Sequence, residues 1–194
     1  MPETASELQA VARTLKAPDE DINLREAATE TRVKSAPLKD YRILHFATHG
    51  LVAGDLTGLN EPALVLTLPR VATEADDGLL TASEVATLQL NADWVVLSAC
   101  NTASGGKVGA DALSGLARAF YYAGARALLV SHWAVDSQAA VDLTTRTFAA
   151  LATNPKLTRA EAFQSAILRA IDEGYTPDYW APFVIVGEGG RLSR

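Results

Sequence analysis

Short apolar runs rich in β-branched residues recur along the chain at 42–48, 63–68, 93–99, 126–131 and 182–187, and the stretches between them space their apolar residues as a helix does. A run of this length bounded by turn residues suits a strand buried on both faces, and alternation with helices is the pattern of βαβ units. The pattern predicts an α/β fold, a mainly parallel sheet with helices on both faces.

Helix boundaries follow from local chemistry. Thr81 to Glu84 and Thr158 to Glu161 have capping-box spacing, and Gly174 suits a C-terminal cap. In the helix predicted near 109–123, Leu113, Leu116, Phe120 and Ala123 share one stripe, as do Phe163, Ile167 and Ala170 in that near 158–172. Both stripes read as core. Residues 1–40 read as a helix at about 4–16, an acidic connection from Pro18 to Asp21 and a short helix near 29–36 stopped by Pro37, forming the edge of the same domain. The loops 50–60, 69–80 and 101–111 each follow a predicted strand and are long enough to face a substrate.

Composition narrows the function classes. With 194 residues, 48% of them hydrophobic and 21% charged, one packed core is the expectation. A formal charge of −6 offers no electrostatic footing for a phosphate backbone, so nucleic acid is not expected as a direct ligand. No apolar run approaches the roughly 18 residues of a membrane span, and the N-terminus lacks the pattern of a signal peptide; a cytoplasmic protein is expected. One cysteine cannot form an internal disulfide, and histidines at 45, 49 and 132 make no closed zinc site, so neither metal nor cofactor is expected.

The candidate chemistry lies at strand ends. Thr48-His49-Gly50, Ser98-Ala99-Cys100 and Ser131-His132-Trp133 follow the first, third and fourth runs, and open parallel sheets bind ligands at that edge. Cys100 alone reads as packing, since most lone intracellular cysteines are small buried hydrophobes. His49 changes this, because an imidazole at a neighbouring strand end can take the thiol proton, and the thiolate is the nucleophile. It precedes the cysteine by about 50 residues, as in caspases, although the local caspase signature is absent. Gly50 is either a turn glycine or, with the Cys100 N–H, an oxyanion donor. His45 stands four residues before His49, but a strand separates such residues by roughly 13 Å, so it reads as a packed, hydrogen-bonded histidine rather than a co-ligand. His132 and Trp133 suit either a pocket wall or packing. Asp55, Asp111 and Asp136 are candidates for an acidic pocket floor, with Asp136 better placed to cap a helix beginning at Ser137.

The segments Ile43-Leu44-His45-Phe46-Ala47-Thr48-His49-Gly50, Val95-Val96-Leu97-Ser98-Ala99-Cys100-Asn101-Thr102 and Gly115-Leu116-Ala117-Arg118-Ala119-Phe120 give the chain a family resemblance, together with Ser131-His132-Trp133-Ala134-Val135-Asp136 and Tyr179-Trp180-Ala181-Pro182-Phe183-Val184-Ile185-Val186-Gly187. The chain resembles the CHAT domains, caspase-like modules of the clan CD cysteine peptidases often joined to TPR repeats, strongly over 40–190. The resemblance implies a caspase-hemoglobinase fold, a His49/Cys100 dyad, an oxyanion hole from the Gly50 and Cys100 amides, and a protein or peptide substrate. It also implies regulation by a TPR or other protein partner.

Two departures shape the expectation. Family members usually carry further strand and helix sequence ahead of the segment equivalent to residue 1, so 1–194 is expected to be a single domain, with 1–40 as its N-terminal edge and 41–190 as catalytic core, and either the C-terminal part of something longer or a compact version of the domain. Many members have a Gly-Glu-Gly-like stretch where this chain has Gly109-Ala110-Asp111. A cysteine endopeptidase is the leading expectation and a catalytically silent signalling adaptor the alternative.

Overall fold

The computed structural model describes residues 2–73, 75–98, 109–131 and 136–192, with only the backbone of 2–3 and 109–114. A four-stranded sheet forms its centre, ordered β1 (Ile43–Phe46), β5 (Trp94–Leu97), β6 (Ala127–Ser131) and β7 (Phe183–Gly187). The first three run parallel and β7 is antiparallel, giving the mainly parallel sheet that the apolar runs predict. All residues of β5 and β6 are buried, which explains why they read as unbroken apolar stretches rather than alternating ones.

Helices cover both faces, and alternate strand residues divide between them. Trp94 and Val96 look toward α1 (Pro2–Leu15), α5 (Ser137–Thr153) and α6 (Arg159–Asp172), sharing a core with Val11, Phe148 and Phe163. Val95 and Leu97 look toward α3 (Ala82–Thr87) and α4 (Gly109–Ala123), sharing a core with Val85, Leu116 and Phe120. Trp94 packs its ring 5.2 Å from that of Phe148 on the first face, and Phe46 lies 5.7 Å from Phe120 on the second. Both expected capping boxes are formed, at Thr81/Glu84 and Thr158/Glu161. Gly174 takes φ +86° directly after α6, where its N–H reaches the Ile171 carbonyl. The short helix expected near 29–36 is α2 (Glu30–Ser35), and a single turn at Pro177–Trp180 forms α7.

The run at 63–68 departs from expectation. It does not join the parallel sheet. Its first residues form β3 (Ala63–Val65), the centre of a separate antiparallel sheet between β2 (His49–Leu51) and β4 (Leu79–Thr81). A short apolar run looks alike whichever sheet accepts it, because the pairing partner is not written in the run. Leu64 and Leu80 of this small sheet are fully buried in the core that also holds α4. Gly115 brings the helix close, since a Cβ there would stand 3.2 Å from Pro62 Cγ.

Charges hold the amino edge of the large sheet. Arg42, Asp93 and Arg126 each precede a strand, and the buried Asp93 carboxylate accepts from Arg42 Nη2 at 2.8 Å and Arg126 Nη1 at 2.9 Å. Arg159, buried on α6, donates to the backbone carbonyls of Asp93 and Glu188, both at 2.7 Å. β1 is an edge strand: beside it, between α1 and the segment around 21–33, lies a cavity of about 750 Å³. Among the described residues no helix is long and apolar enough to cross a membrane.

The turn from α4 into β6 gives a test of the packing. Gly124 has φ +112°, and a Cβ there would fall 2.4 Å from the Leu90 carbonyl oxygen. Gly124→Ala therefore combines backbone strain with a steric clash and is expected to cost at least about 1–3 kcal/mol in urea unfolding.

Candidate functional site

Parallel pairing brings two chain segments out of the sheet side by side. Phe46 and Leu97 are Cα partners at the carboxyl ends of β1 and β5, and the Ser98 N–H extends the ladder to the Phe46 carbonyl at 2.9 Å. His49 stands three residues beyond Phe46 and Cys100 three beyond Leu97. Adjacent strands lie about 4.8 Å apart, and three residues of chain reach at most roughly 10 Å. Cys100 itself, with the rest of 99–108, lies outside the described residues.

His49 lies beyond the end of β1, as its place after the first apolar run suggests, but it also enters a second strand. It opens β2, pairing with Val65, while Gly50 pairs with Leu64. The Thr48 hydroxyl donates to the Val65 carbonyl and secures the step from one sheet to the other. The His49 residue is exposed and Gly50 is buried. Backbone pairing in the small sheet therefore fixes the histidine's main chain, and its side chain faces solvent.

Directly beneath this edge lies a polar cluster. Glu7 of α1, 1% exposed, reaches the carboxyl ends of the two strands. Its Oε1 accepts from Ser98 Oγ at 2.6 Å and lies 3.0 Å from His45 Nε2, which is 3.1 Å from Ser98 Oγ. His45 is thus the hydrogen-bonded histidine its strand position implies. Although Ser, His and Glu are the residue types of a hydrolytic triad, Glu7 and Ser98 meet the same ring nitrogen, Glu7 and Ser98 are buried, and the His45 side chain is only 7% exposed. A relay needs the acid on the opposite nitrogen from the serine, so this cluster is no nucleophile centre.

Glu7 escaped the reading of the sequence, yet a signal was there. Val11 stands four residues on, facing the core, and Leu8 and Leu15 flank it, so Glu7 is a charge set on the apolar face of its own helix.

The acidic candidates separate. Asp136 is the N-cap of α5, its Oδ1 accepting from Gln138 N at 2.8 Å and Ala139 N at 3.2 Å. Asp55 turns back on its own exposed loop, accepting from Val52 N at 2.9 Å. Asp111 lies in α4, but its side chain is outside the described residues, as are His132 and Trp133 entirely. Among the described residues no group of three His, Cys, Asp or Glu side chains could hold a metal ion.

The sheet order, the helical layers and the strand-end histidine accord with a sequence pattern that spans almost the whole chain: that of the CHAT domain, matched over residues 1–188. The chain belongs to the CHAT domain family. Human tetratricopeptide repeat protein 28 is similar to it, 30% identical over 193 residues, an alignment covering 86% of this chain and 8% of that protein. The mouse protein of the same name is 29% identical over the same shares. This CHAT domain chain therefore spans only a small part of the curated relatives it matches. Both relatives carry the repeat in their name, in keeping with a family often joined to TPR repeats.

Because Asp136 caps α5 with both hydrogen bonds made by one oxygen, Asp136→Ala is expected to lower stability by about 1 kcal/mol. Asp136→Ser should recover most of the loss. Urea denaturation of the two variants beside the parent chain reads the difference.

Proposed function

We propose that this CHAT domain is a cysteine endopeptidase in which Cys100 is the nucleophile and His49 its acid–base partner. One observation supports the reading: β1 and β5 are paired in register through Phe46 and Leu97, so the strands end level, and each candidate residue follows three positions later in the sequence. The cysteine is also the chain's only one, so a thiol here has no internal disulfide partner. In the cytoplasm, where this reading sets the protein, such a thiol stays reduced.

The chemistry runs as acyl transfer. His49 takes the Cys100 thiol proton, and the thiolate sulfur attacks the scissile carbonyl to form a tetrahedral oxyanion. The Gly50 and Cys100 N–H groups are the proposed donors to that oxygen. Collapse breaks the C–N bond as the His49 imidazolium protonates the leaving amine, leaving a thioester on Cys100. His49 then removes a proton from water, which attacks the thioester and releases the new carboxylate with the thiol restored.

The exposed edge position of His49 suits a polypeptide substrate that lies across the sheet end. With Asp136 engaged as a helix cap, Asp55 and Asp111 remain the proposed acidic contacts for a basic substrate residue, with His132 and Trp133 as proposed pocket walls. A TPR segment or another protein is the proposed regulator. A second reading, a scaffold that binds partners without cleaving them, draws support from the relatives' names, which describe repeats and not a peptidase.

The two readings part on covalent labelling. Incubation with an acyloxymethyl-ketone probe series should label the parent chain, and both Cys100→Ala and His49→Ala should abolish labelling and peptide cleavage. Labelling that persists in Cys100→Ala rejects the dyad, and partner binding without cleavage in the parent chain favours the scaffold.

A further inference from the structure

We infer that Glu7, His45 and Ser98 are positioning residues for the Cys100/His49 pair, so that helix α1 sets the geometry of a site from which it is far removed in sequence. The inference rests on the reading of that pair as the reactive centre and adds to it the groups that hold it in place.

Each member of the cluster sits where it can act on one strand end. His45 belongs to β1, which leads to His49, and Ser98 directly follows β5, which leads to Cys100. Glu7, 91 residues before Ser98, joins them with one carboxylate oxygen facing both the Ser98 hydroxyl and the His45 Nε2. Ser98 spends its proton on that oxygen at 2.6 Å. Nε2 then faces two oxygens, Glu7 Oε1 at 3.0 Å and Ser98 Oγ at 3.1 Å, and it is held there only while it carries a proton.

The cluster is costly for a purely structural device. A carboxylate 1% exposed loses its hydration, and only charge-assisted hydrogen bonds compensate it. An apolar residue would complete the α1 stripe beside Val11 without that penalty. The amino edge of the same sheet is already tied by Arg42, Asp93 and Arg126. What the cluster adds is restraint at the opposite edge. β1 needs it most: as the edge strand it is paired on one side only, and His45 borders the cavity on its other side. Without Glu7, the Ser98 hydroxyl loses its acceptor and His45 Nε2 keeps only Ser98 Oγ, so the carboxyl ends of β1 and β5 lose their common anchor. Misplacement of reacting groups by about 1 Å can cost roughly a hundredfold in rate.

The single cysteine allows a test on the whole 194-residue chain. Iodoacetamide alkylation of Cys100 is followed from pH 5 to 9 in the parent chain and in Glu7→Ala, Glu7→Gln, Ser98→Ala and His49→Ala, each shown folded by circular dichroism. Peptide cleavage is measured separately. In the parent chain the imidazole keeps the thiol reactive below the ordinary cysteine range, and His49→Ala removes that reactivity. Glu7→Ala and Ser98→Ala are expected to slow alkylation at pH 6 by about tenfold or more, moving the profile toward that of a free thiol. Glu7→Gln keeps an acceptor oxygen and should stay within about threefold of the parent. Should Glu7→Ala fail to fold, Ser98→Ala and Glu7→Gln still decide the matter.

Folded Ser98→Ala and Glu7→Ala chains with the parent's pH profile would overturn the inference, as would a parent thiol that titrates like free cysteine. A parent chain that shows the low-pH reactivity and its dependence on Glu7, yet cleaves no peptide, rejects the peptidase reading and leaves the positioning role standing.

Discussion

The parallel pairing of β1 with β5 is the constraint on which the remainder depends. Ile43 to Phe46 match Trp94 to Leu97 one for one, so the two strands end level, and whatever follows them emerges at the same edge. A register slip of one residue would turn each strand's side chains to the opposite layer. Burial on both faces opposes such a slip: Trp94 fits against Phe148 on one side, and Leu97 belongs to the α3 and α4 core on the other. Packing thus sets the register, and the register aligns the two candidate catalytic segments.

The two edges of the sheet are finished with polar groups of different character. At the amino edge, Asp93 is buried, but its partners Arg42 and Arg126 are 38% and 45% exposed, so water keeps solvating much of the positive charge. At the carboxyl edge, the side chains of Glu7, His45 and Ser98 are withdrawn from solvent and meet at short range through Glu7 Oε1, His45 Nε2 and Ser98 Oγ, while His45 Nδ1 is buried with no hydrogen-bond partner among the described residues. A buried set of contacts of this kind tolerates little displacement, because each lost contact leaves a desolvated group behind. That stiffness lies under the edge where His49 and the Cys100 segment leave the sheet.

The small antiparallel sheet extends the same logic. β2 holds His49 by backbone pairing with β3, and β3 rests through Leu64 on the core shared with α4, close-packed at Gly115 against Pro62. The helix that resumes the chain after the cysteine segment therefore supports the sheet that carries the histidine.

Much of this was legible in the order of residues, because the signals are local. Unbroken apolar runs announce strands covered on both faces, Thr81 to Glu84 and Thr158 to Glu161 announce helix starts, and Asp136 before Ser137 announces a cap; each depends on neighbours a few positions away. The positions of His49 and Cys100 three residues beyond Phe46 and Leu97 are likewise read along the chain, once the strands are known to be parallel. What the tertiary structure alone decided is pairing across distance. The run at 63–68 joined a second sheet, and His49 entered a strand there, because a hydrogen-bonding edge accepts any extended partner that packs well. Glu7 was visible only as a charge on an apolar helix face. Its bond to Ser98 spans 91 residues, and no local pattern encodes the contact that makes a buried carboxylate stable.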